Sequence, residues 1–132
     1  MTPDAPRILI VDDDALLRRL IAKIFDDVGF QVEVAADGAA AVGAFRRFRP
    51  SVVLLDIIMP GREGLETTID MRAIDPSVPI IAMSGGGRIG PNEFLALAEA
   101  LGAAATIAKP FSSGQIRDLV GKVLQDSERL PG

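Results

Sequence analysis

The chain has 132 residues, 48% of them apolar, a formal charge of −4, and neither cysteine nor histidine. One domain of this size buries a full core, while the acidic balance argues against a non-specific nucleic-acid binder, which needs a basic stripe. The missing residue types exclude disulfides, thiolate or imidazole metal sites and a Ser-His-Asp triad, so any chemistry rests on carboxylates, hydroxyls, lysines and backbone groups.

The opening MTPDAPR lacks the charged and apolar regions of a signal peptide, and no apolar run approaches the roughly eighteen residues of a membrane span. A cytoplasmic chain without membrane insertion is expected. The first run, RILIV, is continuous rather than alternating, as in a strand buried on both faces of a parallel sheet. Asp12, Asp13 and Asp14 follow it, more acid than a simple reversal of the chain needs. Leu17, Leu20, Ile21, Ile24 and Val28 then repeat at helical spacing, with Gly29 as a left-handed stop. QVEVA alternates and is expected at a sheet edge. Ala41, Val42, Phe45 and Phe48 make the next helical stripe, started by Asp37 and ended before Pro50. The arginines of FRRFR read as a solvated helix end.

SVVLL, PIIAM and ATIA are the remaining strands. The helix from Leu65 to about Ala73 has the weakest stripe, diluted by Thr67 and Thr68, and Asp75 reads as a turn residue. Phe94, Leu97, Ala98 and Leu101 form a fourth helix closed by Gly102. Ile116, Leu119, Val120, Val123 and Leu124 form a fifth, opened by Ser112 and Gln115 in capping-box spacing with Phe111 and Ile116 as a hydrophobic staple. Five strand-helix units imply a parallel sheet between two helical layers. One domain over 1–132 is expected, with its core at about 7–125 and a tail at 126–132.

In such sheets, ligands bind beyond the carboxyl ends of the strands. There stand Asp12 and Asp13 after the first strand, Asp56 after the third, Ser84 after the fourth and Lys109 after the fifth. Clustered carboxylates repel one another, and a hard divalent cation with oxygen ligands relieves that repulsion, so the set reads as a Mg²⁺ site. Asp56 suits a nucleophile forming an acyl phosphate, with Lys109 and Ser84 sharing the phosphoryl charge. The SGGGRIG segment lacks the Gly-Lys-Ser/Thr ending of a phosphate loop and reads as a mobile switch loop instead.

ILIVDDD, VVLLDIIMPGREG, IIAMSGG and GAAATIAKPF together resemble the four signature blocks of the response-regulator receiver domain of two-component signalling, over about residues 7 to 125. The resemblance implies a flavodoxin-like α/β sandwich with strand order 2-1-3-4-5. It implies that Asp56 is the phosphoacceptor. Asp13, Asp12 and Asp56 itself are then the carboxylate metal ligands, Asp12 partly through water, with the Ile58 carbonyl as a further ligand. Ser84 matches the switch hydroxyl, and Lys109 the lysine whose bond to Pro110 is expected to be cis. Asp14 is left to cap the first helix. Thr106 departs from the family, which usually places Tyr or Phe there as an aromatic switch. In the family, the positions of Ile58 and Gly86 flank the attacking water and tune dephosphorylation; here neither offers a side-chain hydrogen bond, so slow hydrolysis is expected.

The partners implied are a sensor histidine kinase or histidine phosphotransfer protein, and a downstream protein that docks on the face of the fourth helix, fifth strand and fifth helix. Two alternatives stand beside this reading. One is a phosphate sink or relay intermediate without its own effector. The other is a Mg²⁺-dependent aspartyl-phosphate hydrolase, against which stands Ile58, in the place where such enzymes commonly carry a second Asp.

Overall fold

A computed structural model describes residues 5–57, 63–85 and 90–129. In chain order the elements are β1 (Arg7–Val11), α1 (Ala15–Asp27), β2 (Gln31–Ala35), α2 (Gly38–Phe48), β3 (Val52–Asp56), α3 (Glu63–Ile74), β4 (Ile80–Ser84), α4 (Pro91–Ala100), β5 (Ala105–Ala108) and α5 (Ser113–Arg129). All neighbouring strands pair in parallel, in the order β2-β1-β3-β4-β5. This is the flavodoxin-like order that the sequence implied, with the alternating QVEVA strand at one edge.

The branched apolar runs fill both faces of the sheet. Leu9, Val11, Val53, Leu55, Ile80 and Ala82 point to one side, against Ala41, Phe45, Met71, Phe94 and Ala98 of α2, α3 and α4. Ile8, Ile10, Val52, Leu54, Ile81 and Met83 point to the other, against Ile21 and Phe25 of α1 and Ile116, Val120 and Val123 of α5. A strand alternates its side chains between faces, so a central strand covered by helices above and below must be apolar at every position. The edge strands are covered less, and Thr106 and Ala108 of β5 are exposed.

Local signals hold where the structure can be compared with them. The Asp14 carboxylate accepts from the Leu16 and Leu17 amides, and that of Asp37 accepts from the Ala40 amide at 2.8 Å. The Ser112 amide donates to Gln115 Oε1 while the Gln115 amide donates to Ser112 Oγ, a reciprocal capping box. Asp75 accepts from the Ser77 amide in an Asx turn. Gly29 and Gly102 take positive φ at the helix ends, and the Lys109–Pro110 peptide is cis. Among the described residues, no helix is long and apolar enough to cross a membrane.

Three details differ from the sequence reading. Leu20 and Val28 are 54% and 49% exposed, because the buried face of α1 centres on Ile21 and Phe25, and these two lie at its margins. In α3 the threonines are not a dilution of the buried face but part of it. Thr67 and Thr68 are buried while Ile69 points outward, and the Thr68 hydroxyl donates to the Gly64 carbonyl four residues back, which lets it enter the core with its polarity satisfied. Finally, α5 continues to Arg129, past the point where a tail was expected to begin, since neither Gly nor Pro occurs between Lys122 and Leu130.

Candidate functional site

The polar strand ends converge because the three innermost strands are in register at their carboxyl ends. Val11 pairs with Leu55, so the residues that follow, Asp12 and Asp56, lie side by side. Asp56 is the last residue of β3 itself, paired with Met83 of β4. Asp12 is fully buried and Asp56 nearly so, whereas Asp13 is exposed at the rim. One carboxylate oxygen from each of the three lies within 4.8 Å of the others.

Lys109 enters from farther away. It follows β5, two strands from β3, and its long stem crosses the end of β4 to reach the cluster. Gly85 makes room for that crossing, since a Cβ there would lie 2.6 Å from Lys109 Cδ. The Nζ donates to Asp12 Oδ2 at 2.7 Å and to Asp56 Oδ2 at 3.3 Å. The Lys109 backbone N–H donates to the Ser84 carbonyl at 2.7 Å, which ties the end of β4 to the lysine. Gly64 is pressed against the backbone of Ile57, where a Cβ would meet the Ile57 carbonyl oxygen at 2.5 Å, so the start of α3 is seated directly on the residue after Asp56.

The electrostatics follow from this geometry. Burial pushes the Asp12 carboxyl above the usual carboxylate range, against the opposing pull of Lys109 and of the Asp14 amide, which donates to Asp12 Oδ1 at 2.9 Å. Burial alone would lower the Lys109 ammonium, but its hydrogen bond to Asp12 and the charges of Asp56 and Asp12 outweigh that and hold it above its ordinary value. Among the described residues, the cluster of three carboxylates is met by one ammonium, which bonds to two of them. An all-oxygen donor set, open on the Asp13 side and short of positive charge, fits a hard divalent cation such as Mg²⁺.

Of the residues singled out from the sequence, the structure brings together Asp12, Asp13, Asp56 and Lys109. Ser84 ends β4 beside them, half-buried. Thr106 pairs with Ala82 in the sheet and is exposed. Ile58 and Gly86 lie outside the described residues. The sequence reading missed Arg18, whose Nη1 donates to the Asp12 carbonyl oxygen at 2.7 Å. The available signal was a cation in the first turn of a helix that starts directly after the acidic run.

A sequence model described as the response regulator receiver domain matches residues 8–121. The chain is 37% identical over 118 residues to sporulation initiation phosphotransferase F of Bacillus subtilis, covering 89% of this chain and 93% of that protein. It is 32% identical over 120 residues to the chemotaxis protein CheY of Halobacterium salinarum, covering 91% and 98%. The crystal structure of a CheY-like receiver domain protein from Methanospirillum hungatei superposes with a TM-score of 0.86 at 26% identity, covering 96% of this chain and 98% of that one. NtrX from Brucella abortus in complex with ADP superposes with a TM-score of 0.85 at 30% identity, but there this chain spans only 31% of the larger protein.

Proposed function

This chain belongs to the response regulator receiver domain family of two-component signalling, and on that premise we propose that it is a switch driven by Mg²⁺-dependent phosphorylation of Asp56. The observation that carries the reading is the Lys109 ammonium bound to both Asp12 and Asp56 beside the Asp13 carboxylate. Asp12, Asp13, Asp56 and the Ile58 carbonyl would hold Mg²⁺, which when bound supplies positive charge to the phosphoryl oxygens. An Asp56 carboxylate oxygen bonds to phosphorus as the bond from phosphorus to the imidazole nitrogen of a histidine kinase or phosphotransfer protein breaks, leaving that imidazole neutral. Lys109 shares the negative charge of the phosphoryl oxygens, and Ser84 donates its hydroxyl to one of them.

The output face we assign is that of α4, β5 and α5. Leu95 of α4 and Thr106 of β5 are exposed there, ready for a downstream protein. With threonine in place of a ring at 106, the change should concentrate between Ser84 and Leu101. Amide hydrogen exchange with and without Mg²⁺ and beryllofluoride should show its largest differences in that segment. A dominant change in β5 would contradict this account of the output.

The similarity to a protein named a phosphotransferase supports a second reading, a relay intermediate that passes the group on to another histidine. Transfer of label from phosphorylated Asp56 to a histidine phosphotransfer domain, with no change in the exchange pattern of α4, would favour it. A small-molecule hydrolase is the weaker reading, because Ile58 gives no general acid to the leaving group. For the same reason the phosphorylated state should be long-lived. Ile58 and Gly86 cannot orient water by a side-chain hydrogen bond, so Ile58→Asn and Gly86→Glu should each shorten the lifetime several-fold after donor removal. Unchanged or slower loss of label in both would remove this explanation.

A further inference from the structure

We propose that Arg18 is a positioning residue, one that holds the Asp12–Asp13 peptide so that the Asp13 carboxylate faces the cation site. The inference rests on the Mg²⁺ reading given above. Arg18 lies one turn into α1, its own N–H bonded to the Asp14 carbonyl. Helical side chains lean toward the helix N-terminus, and from there Arg18 Nη1 reaches back to the Asp12 carbonyl oxygen at 2.7 Å, a short bond of the charge-assisted kind.

That contact completes a three-sided clamp on Asp12. The Asp14 amide holds Oδ1, Lys109 Nζ holds Oδ2 and Arg18 holds the main-chain oxygen. Asp13 has no such enclosure. Its carboxylate is exposed, and no hydrogen bond described for this structure anchors it, yet one of its oxygens comes within 4.8 Å of those of Asp12 and Asp56. The direction in which Asp13 leaves the main chain is set by the plane of the peptide that joins it to Asp12. Arg18 grips the carbonyl of that peptide. The guanidinium is rigid and permanently charged, so it can fix an orientation that a water molecule in its place would leave loose. It is not itself a ligand, and it touches no reacting atom.

Partners that orient metal ligands typically contribute about ten-fold or more to metal affinity. Calorimetric titration of the full chain with MgCl₂ tests the idea on wild type, Arg18→Ala, Arg18→Lys, Arg19→Ala and Asp13→Ala. Arg18→Ala should bind Mg²⁺ about ten-fold more weakly. Arg18→Lys, which keeps one donor on a long stem, should recover part of that loss. Arg19 is its exposed neighbour in the same helix, so Arg19→Ala removes the same charge without the contact and should stay close to wild type. Amide spectra of metal-free Arg18→Ala should change most at residues 12 to 14 and little at Ile21 and Phe25, which a general loosening of α1 would disturb. Equal or tighter binding by Arg18→Ala, or equal loss in Arg19→Ala, overturns the proposal. If wild type takes up no Mg²⁺, or Asp13→Ala binds it as well as wild type, the underlying reading of the site fails instead.

Discussion

Incubated with acetyl phosphate and Mg²⁺, the wild-type chain should gain a single phosphoryl group, and Asp56→Asn should gain none under the same conditions. The three carboxylates are chemically alike, so the expectation rests on their surroundings. Asp12 is sealed from solvent, with one oxygen taken by the Asp14 amide and the other by Lys109, and no donor can align with it. Asp13 is open to solvent, but the lysine ammonium contacts described in the structure go to Asp12 and Asp56. Asp56 alone combines a fixed position at the end of a central strand, a small opening to solvent and a neighbouring ammonium at 3.3 Å. A nucleophile so placed has its attack geometry and its charge balance set in advance. Loss of the nucleophile should reduce labelling by about a hundred-fold or more. Asn matches Asp in shape and removes one charge from a crowded set, so the variant should fold, and its unlabelled state cannot be ascribed to misfolding. Intact-mass spectra decide the matter, and equal labelling of Asp56→Asn would move the phosphoacceptor elsewhere.

Much of this architecture was legible in the sequence because the physics that places it is local or periodic. Continuous branched runs mark strands covered on both faces, the alternating QVEVA marks an edge, and Asp37 and the Ser112–Gln115 pair mark helix starts by hydrogen bonds that span only three residues. What was not legible depends on which neighbour a side chain meets. Nothing in the local pattern says that Leu20 lies outside the buried face of α1, or that Thr67 and Thr68 enter the core while Ile69 stays out. The site divides in the same way. That four polar residues gather at one end of the sheet follows from strand direction. That Lys109 sits nearer to Asp12 than to Asp56, that its stem needs Gly85, and that Arg18 turns back onto the Asp12 carbonyl are products of tertiary packing.

The crowding of charge at the site carries a cost that Asp13→Ala should expose as two opposite effects. In chelator, the variant should melt a few degrees above wild type, because the substitution removes one of three clustered, mutually repelling carboxylates, of which Lys109 bonds to the other two. The buried part of the cluster adds a pH dependence of its own. Asp12 in the folded metal-free chain holds its proton more tightly than the ordinary value of 3.8, and burial is the main cause, with Asp56 adding to it. A carboxyl whose folded pKa is raised binds more protons in the native than in the unfolded chain, so its contribution to stability is greatest at low pH and is lost as pH rises from the ordinary value through the raised one. Metal-free wild type should therefore lose stability over that window. In saturating Mg²⁺ the order should reverse. Ligand that binds only the native state stabilises it by RT ln(1 + [L]/Kd), and Asp13→Ala, lacking the carboxylate proposed as a ligand, should gain little. Thermal melts in chelator and in MgCl₂ make the comparison within each protein. A variant that is less stable than wild type in chelator, or that gains as much from Mg²⁺, would show that Asp13 neither crowds the site nor serves it as a ligand.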